Sequence, residues 1–147
     1  MTSTPYASTN TAIAPGLTTI FIPQALAGMA AAADVVTDMI IPYDFQVVSL
    51  EFLLTTVVTT GSKAATVTLG TGPTGSNVAV AGCVLAMTSA NQTPAGLITK
   101  APATLPSGIG ATTYPAGTKI CLKSTSVTAF SEGAGVFMIK LRNMDES

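Results

Sequence analysis

Histidine and tryptophan are missing from this chain, cysteine occurs twice, and Lys, Arg, Asp and Glu together make up 9% of its 147 residues. Each shortage closes off some chemistry. Histidine is the side chain that titrates near neutrality unperturbed, so without it Ser and Cys triads lose their usual proton carrier. Two cysteines with no histidine do not make a zinc site, and no alternating acidic series supplies a calcium loop. The glycines Gly70 and Gly75 are spaced like those of a phosphate-binding loop, but Ser76 stands where the lysine is required. No cofactor, metal or small-molecule substrate is expected. Cys83 lies in VAVAGCVLAM and Cys121 in KICLK, apolar runs in which a free thiol acts as a small buried hydrophobe. A disulfide would need their strands to be neighbours, and nothing indicates an oxidising compartment.

Cations are scarce as well as scattered. None precedes Lys63, and Lys63, Lys100, Lys119, Lys123, Lys140 and Arg142 form no visible cluster, which argues against a nucleic-acid partner. The same gap removes the basic start of an export signal. The alanine-rich piece from Ala25 to Ile41 is broken by Gly28, Asp34, Thr37 and Asp38, so it falls short of the ~20 apolar residues of a membrane span, and a soluble chain is expected. Charged residues ordinarily make up about 25% of a domain. A surface built instead from Thr, Ser, Ala and Gly is one that other protein covers, as in a subunit of an assembly.

What the chain does hold is β pattern. The segment PYDFQVVSLEFLLTTVVTTGSKAATVTLG, residues 42–70, alternates over Phe45 to Leu54, with Val48, Leu50, Phe52 and Leu54 as an apolar set. It continues through the β-branched run Thr55 to Thr60, turns at Gly61 and Ser62, and alternates again from Ala65 to Gly70. The spacing predicts a central hairpin. Ile20–Ile22 reads as a short strand ended by Pro23, and 34–41 as a strand that joins the hairpin. Residues 78–88 read as a core strand with a bulge at Gly82; strands begin again at Leu97 and Thr118, and 136–141 is the last. About eight strands and no persuasive helix predict an all-β fold, an antiparallel β-sandwich of jelly-roll or related type.

Residues 1–19, rich in Thr, Ser, Ala and Pro, read as an extended N-terminal arm ahead of one sandwich domain over 20–147. Either the arm is a frayed terminus, or it orders on a neighbouring subunit with Tyr6, Ile13 and Leu17 as anchors. Phe45 and Phe52 are the candidate apolar contacts between subunits, although pattern alone does not separate core from interface at these positions. Asn91, Gln92 and Thr93 match a glycosylation sequon, read as chance without a secretion signal.

The run IPYDFQVVSLEFLLTTVVTTGSKAATVTLGTG, followed by LAMTSANQTPAG, PAGTKICLKSTS and a last strand ending in a basic residue, resembles the small β-sandwich proteins that decorate tailed-phage heads. The likeness covers about residues 35–142 and is one of style, without a diagnostic signature. It implies a structural cement protein, often a trimer, on the outer capsid surface of a virion, bridging major capsid protein subunits. Two other readings compete. A phage fibre or receptor-binding module would display a ligand site on its loops, for which Tyr114 is the candidate. A glycan hydrolase would need a carboxylate pair from Asp34, Asp38, Asp44 and Glu51, of which Asp44 reads better as a turn residue and Glu51 as a surface or interface charge. A non-enzyme is expected.

Overall fold

The structure, a computed structural model, describes residues 16–29, 33–72, 78–93, 96–101 and 112–145. Its strands are β1 (Leu17–Ala25), β2 (Ala33–Ile40), β3 (Phe45–Thr56), β4 (Ala64–Thr71), β5 (Val78–Thr88), β6 (Ile98–Lys100), β7 (Lys119–Thr128) and β8 (Ala134–Asn143). A 3₁₀ turn at Leu26–Gly28 follows β1, and no α-helix occurs among the described residues. Two four-stranded antiparallel sheets run in the orders β1-β8-β3-β6 and β2-β7-β4-β5. The pairings β1/β8, β2/β7, β3/β6 and β4/β5 nest one inside another, as if a long hairpin ribbon had been rolled up. That winding is the jelly roll, and it confirms the all-β sandwich read from the sequence.

The alternation in the central segment does place the core, with one slip of phase. A bulge between Val47 and Ser49 lets Phe45 and Val47 face inward before it and Leu50, Phe52 and Leu54 after it. Phe52 and Phe137, cross-strand partners on β3 and β8, meet with ring centroids 4.7 Å apart. The ring of Phe52 lies over Gly135. A Cβ there would come within 2.4 Å of the ring and 2.2 Å of the Leu53 carbonyl, so the aromatic pair depends on a position without a side chain. Facing them from the other sheet are Val67, Leu69, Leu85, Ile120 and Leu122, all buried in the same cluster.

The predicted hairpin does not form. β3 ends at Thr56, and β4 lies in the opposite sheet, paired with β5 and β7. Propensity loses here to a specific polar contact. The Glu132 carboxylate accepts from the amides of Thr59 and Thr60 at 3.2 and 2.7 Å and from both threonine hydroxyls at 3.0 and 2.9 Å. Backbone groups that would have continued the ladder are satisfied by a side chain, while Val58 turns inward to the core. The chain is thereby free to cross between sheets. Residues 34–41 likewise do not join β3, since β2 pairs with β7. Among the described residues the hairpin is β4–β5, with Gly70 and Thr71, read as the start of a loop, still paired in β4 to Ala79 and Val78.

Each sheet edge is blunted by a different device. Pro23 sits inside β1 instead of ending it, which an edge strand tolerates because its missing N–H faces no neighbour. β6 has three residues. β2 carries two register shifts and a left-handed Asp38 at φ 43°. β5, read from sequence as a core strand, is also an edge, bent at the expected Gly82 with φ 83°. The Ser89 amide donates to the Lys63 carbonyl at 2.9 Å, so by alternation Ala86 and Thr88 point their backbone groups away from β4. Asn91 closes that outer side: its Nδ2 donates to the Ala86 carbonyl at 2.9 Å and its Oδ1 accepts from the Thr88 amide at 2.8 Å. The carboxamide occupies the places that a neighbouring strand's peptide group would take.

β1 begins at Leu17, so the last three residues assigned to the arm, Leu17 to Thr19, belong to the sandwich. The Asn143 amide donates to the Gly16 carbonyl, which brings the two described ends of the chain together. Both cysteines are free and buried.

Candidate interaction face

Of the candidate contact residues, Tyr6 and Ile13 lie outside the described residues. Leu17 opens β1 and is half exposed. Phe45 and Phe52 are fully buried, so both are core residues out of a partner's reach, a correction to their reading as subunit contacts. Their burial follows from the phase of β3, which turns Phe45 and Val47 to the opposite sheet before the bulge and Leu50, Phe52 and Leu54 after it.

The outward phase of the same sheet carries the surface of interest. Strand register aligns its side chains in rows that cross the strands. One row reads Pro23, Val136, Leu53, Ile98 and the next Phe21, Met138, Glu51, Lys100. Thr19, Lys140 and Ser49 follow, then Leu17, Arg142 and Gln46. The face is therefore split, with an apolar half toward Pro23 and a cationic half toward Leu17. Phe21 is 63% exposed and Ile98 44%, whereas an aromatic side chain in a monomer normally finds cover. Three of the six cations of the chain, Lys100, Lys140 and Arg142, gather here although they are far apart in sequence.

Glu51 is the acid on this face. It is only 5% exposed, accepts a hydrogen bond from Ser49 Oγ at 3.1 Å and pairs with Lys140 Nζ at 3.3 Å. A carboxylate so buried is tolerable because a cation and a hydroxyl replace its water. Lys140 is thereby neutralised, while Lys100 and Arg142 have no acidic partner among the described residues. Sequence reasoning missed this face because both phases of β3 and β8 are partly apolar. The available signal was Leu53 on the Ser49/Glu51 phase, and Val136 and Met138 on the Lys140/Arg142 phase.

The competing sites fare differently. Tyr114 is stacked on Phe45 with centroids 5.3 Å apart and is bridged to it by backbone hydrogen bonds, so its ring is packed and not displayed. Burial raises the pKa of its hydroxyl, with the nearby Cys83 adding to the effect. Asp44 and Glu51 stand seven residues apart on extended chain, about 20 Å at ~3.3 Å per residue, well beyond the ~6.5–9.5 Å of a paired-carboxylate hydrolase. Asp44 Oδ1 accepts instead from the Ala116 amide at 2.7 Å, a turn contact. An open hollow lined by Val57–Ser62, Ser89, Ala90 and Thr93 contains no side chain that titrates. Burial pushes the Cys83 thiol up to about 11, which leaves it protonated and unreactive near neutrality. Asn91, the residue of the sequon, is already held at both ends of its carboxamide. No helix among the described residues is long and apolar enough to cross a membrane.

Fold and face together define a jelly-roll β-sandwich whose distinctive surface is a sheet face and not a cleft. No protein-family model matches the chain, and no curated protein matches it. Among solved structures, a chain from the structure of turnip yellow mosaic virus at 100 K is similar, with a TM-score of 0.34 at 19% identity, covering 88% of this chain and 94% of that one.

Proposed function

We propose that this protein is a structural virion subunit and not an enzyme. It decorates the outside of a phage capsid as a trimer and stabilises the shell by bridging major capsid protein subunits. The observation that carries this reading is the half-apolar outer face of the β1-β8-β3-β6 sheet, with Phe21 63% exposed in a chain that is only 9% charged. A surface of that kind gains from being covered, and burial of apolar area is the main drive for association. The Thr/Ser/Pro-rich segment ahead of β1 supplies the second contact, an arm laid on the adjacent subunit through Tyr6 and Ile13.

Mixing the purified protein with heads stripped of it tests the proposal. Binding should saturate in multiples of three copies per site and raise the temperature at which the heads release their contents. Removal of residues 2–15, which leaves β1 whole, should weaken binding without lowering the sandwich's own melting temperature. A chain that stays monomeric and ignores heads at every concentration would sink the reading.

A further inference from the structure

We infer that the outer face of the β1-β8-β3-β6 sheet docks an acid-bearing, partly apolar protein surface, the exterior of the capsid shell in the function proposed above. The inference rests on that reading and adds which surface engages and with what chemistry.

The edges are unavailable. Pro23, the bulges of β2, the shortness of β6 and the Asn91 carboxamide each obstruct strand addition, so docking has to use a face. The two faces differ. Outward positions of the central strands β4 and β7 carry Thr66, Thr68 and Thr125 beside Lys119 and Lys123, where the other sheet has Leu53, Val136 and Met138; exposed Ile40 and Val84 stand singly on the edge strands β2 and β5. The other face sets exposed Phe21 and Ile98 beside Lys100 and Arg142, two cations that no described acid neutralises. A partner that buried Phe21 with an apolar side chain would bring its neighbouring residues over Lys100 and Arg142. Covering those cations without a counter-charge is costly, so the partner has to present carboxylates there. A second copy in the same two-fold orientation fits less well, since it would offer the same excess of cations. Lys140 takes no part in the recognition because Glu51 already holds it.

The test uses heads stripped of the protein and four forms of the full chain. These are the wild type, Lys100→Glu with Arg142→Glu, Phe21→Ser with Ile98→Ser, and Thr68→Glu on the opposite face as control. Each form is first checked by circular dichroism melting, and Lys100→Gln with Arg142→Gln replaces the reversal if that one does not fold. The charge reversal is expected to weaken binding about tenfold at low salt, with the gap closing as ionic strength rises. The apolar double variant should lose about tenfold at every salt concentration, since apolar burial is not screened. The control should bind like the wild type. Equal binding by all four forms overturns the assignment of the face and leaves the decoration reading standing. Variants that bind heads normally but lose their trimer overturn it as well, because the face then joins copies. A wild type that binds no heads overturns the decoration reading itself, and the shell-docking face with it.

Discussion

Substituting Asn91 tests how the β5 edge is kept closed. Asn91→Ala removes the bond to the Ala86 carbonyl, the acceptor for the Thr88 amide, and the 2.9 Å acceptor for Gln92 Nε2. The first two partners lie at a sheet edge that water can reach, so each loss falls at the low end of the usual ~0.5–1.5 kcal/mol for a hydrogen bond. The third is more serious. Gln92 is fully buried and its Oε1 has no partner among the described residues, so after the substitution its amide retains only Thr99 Oγ1, at 2.7 Å. The sum is about 2 kcal/mol, roughly 4–8 °C in Tm for a chain of this size. Asn91→Asp separates the two roles of the side chain. It keeps the acceptor for Thr88 but turns an oxygen toward the Ala86 carbonyl, so it should open the edge with a smaller loss of Tm. Thr93→Ala serves as control, since it destroys the sequon and leaves the carboxamide in place. Thermal scans with light scattering at rising protein concentration supply the readout, and both Asn91 variants should associate more readily than the wild type. An Asn91→Ala protein that melts within about 1 °C of the wild type and scatters no more light would refute the plug.

Phe52→Ala should destabilise by about 3–5 kcal/mol, the usual loss for a buried aromatic, whereas Phe21→Ser should stay within about 0.5 kcal/mol. Urea unfolding of the isolated protein separates the core residue from the face residue, and equal losses would contradict the assigned phase of β3 and β1. Glu132 is held below the ordinary glutamate range, first by the Thr60 hydroxyl, which together with the Thr60 amide and the Thr59 hydroxyl and amide outweighs the opposing effect of desolvation, second in size. A pKa depressed by folding gives stability that is present above the unfolded value and lost as pH falls through the folded one. The stability difference between wild type and Glu132→Gln should therefore be full at neutral pH and shrink below about pH 4.3, the unperturbed glutamate value; a pH-independent difference would argue that charge plays no part. Cys83, with its thiol pushed up to about 11, should resist iodoacetamide at pH 8 until the protein is unfolded, and rapid labelling of the native chain would contradict its burial.

Strand positions were legible in the sequence because alternation reports a half-buried surface directly. Leu50, Phe52, Leu54, Ile120 and Leu122 all lie where period two puts them. Strand partners were not legible, because pairing across a sandwich depends on which loops turn back and which cross. The run Thr55 to Thr60 shows the difference. Its β-branched residues have every local reason to extend the strand, yet Glu132, more than seventy residues away, takes two of its amides and ends the strand. Pro23 misled for a related reason: proline stops a central strand but not an edge strand, and edge status belongs to the assembled sheet. The interaction face was hidden because Phe21, Leu53, Ile98 and Met138 come from four strands, and only register makes them neighbours.

The hydrogen bond between Gly16 and Asn143 fixes the starting point of whatever lies upstream, at the Leu17–Arg142 corner beside the cations. In the function proposed above, an arm starting from that corner and the sheet face beside it would reinforce each other as a short bivalent link. Peeling one off leaves the other poised to recapture its target, and a subunit anchored in this way would leave its site slowly even if each hold alone were weak.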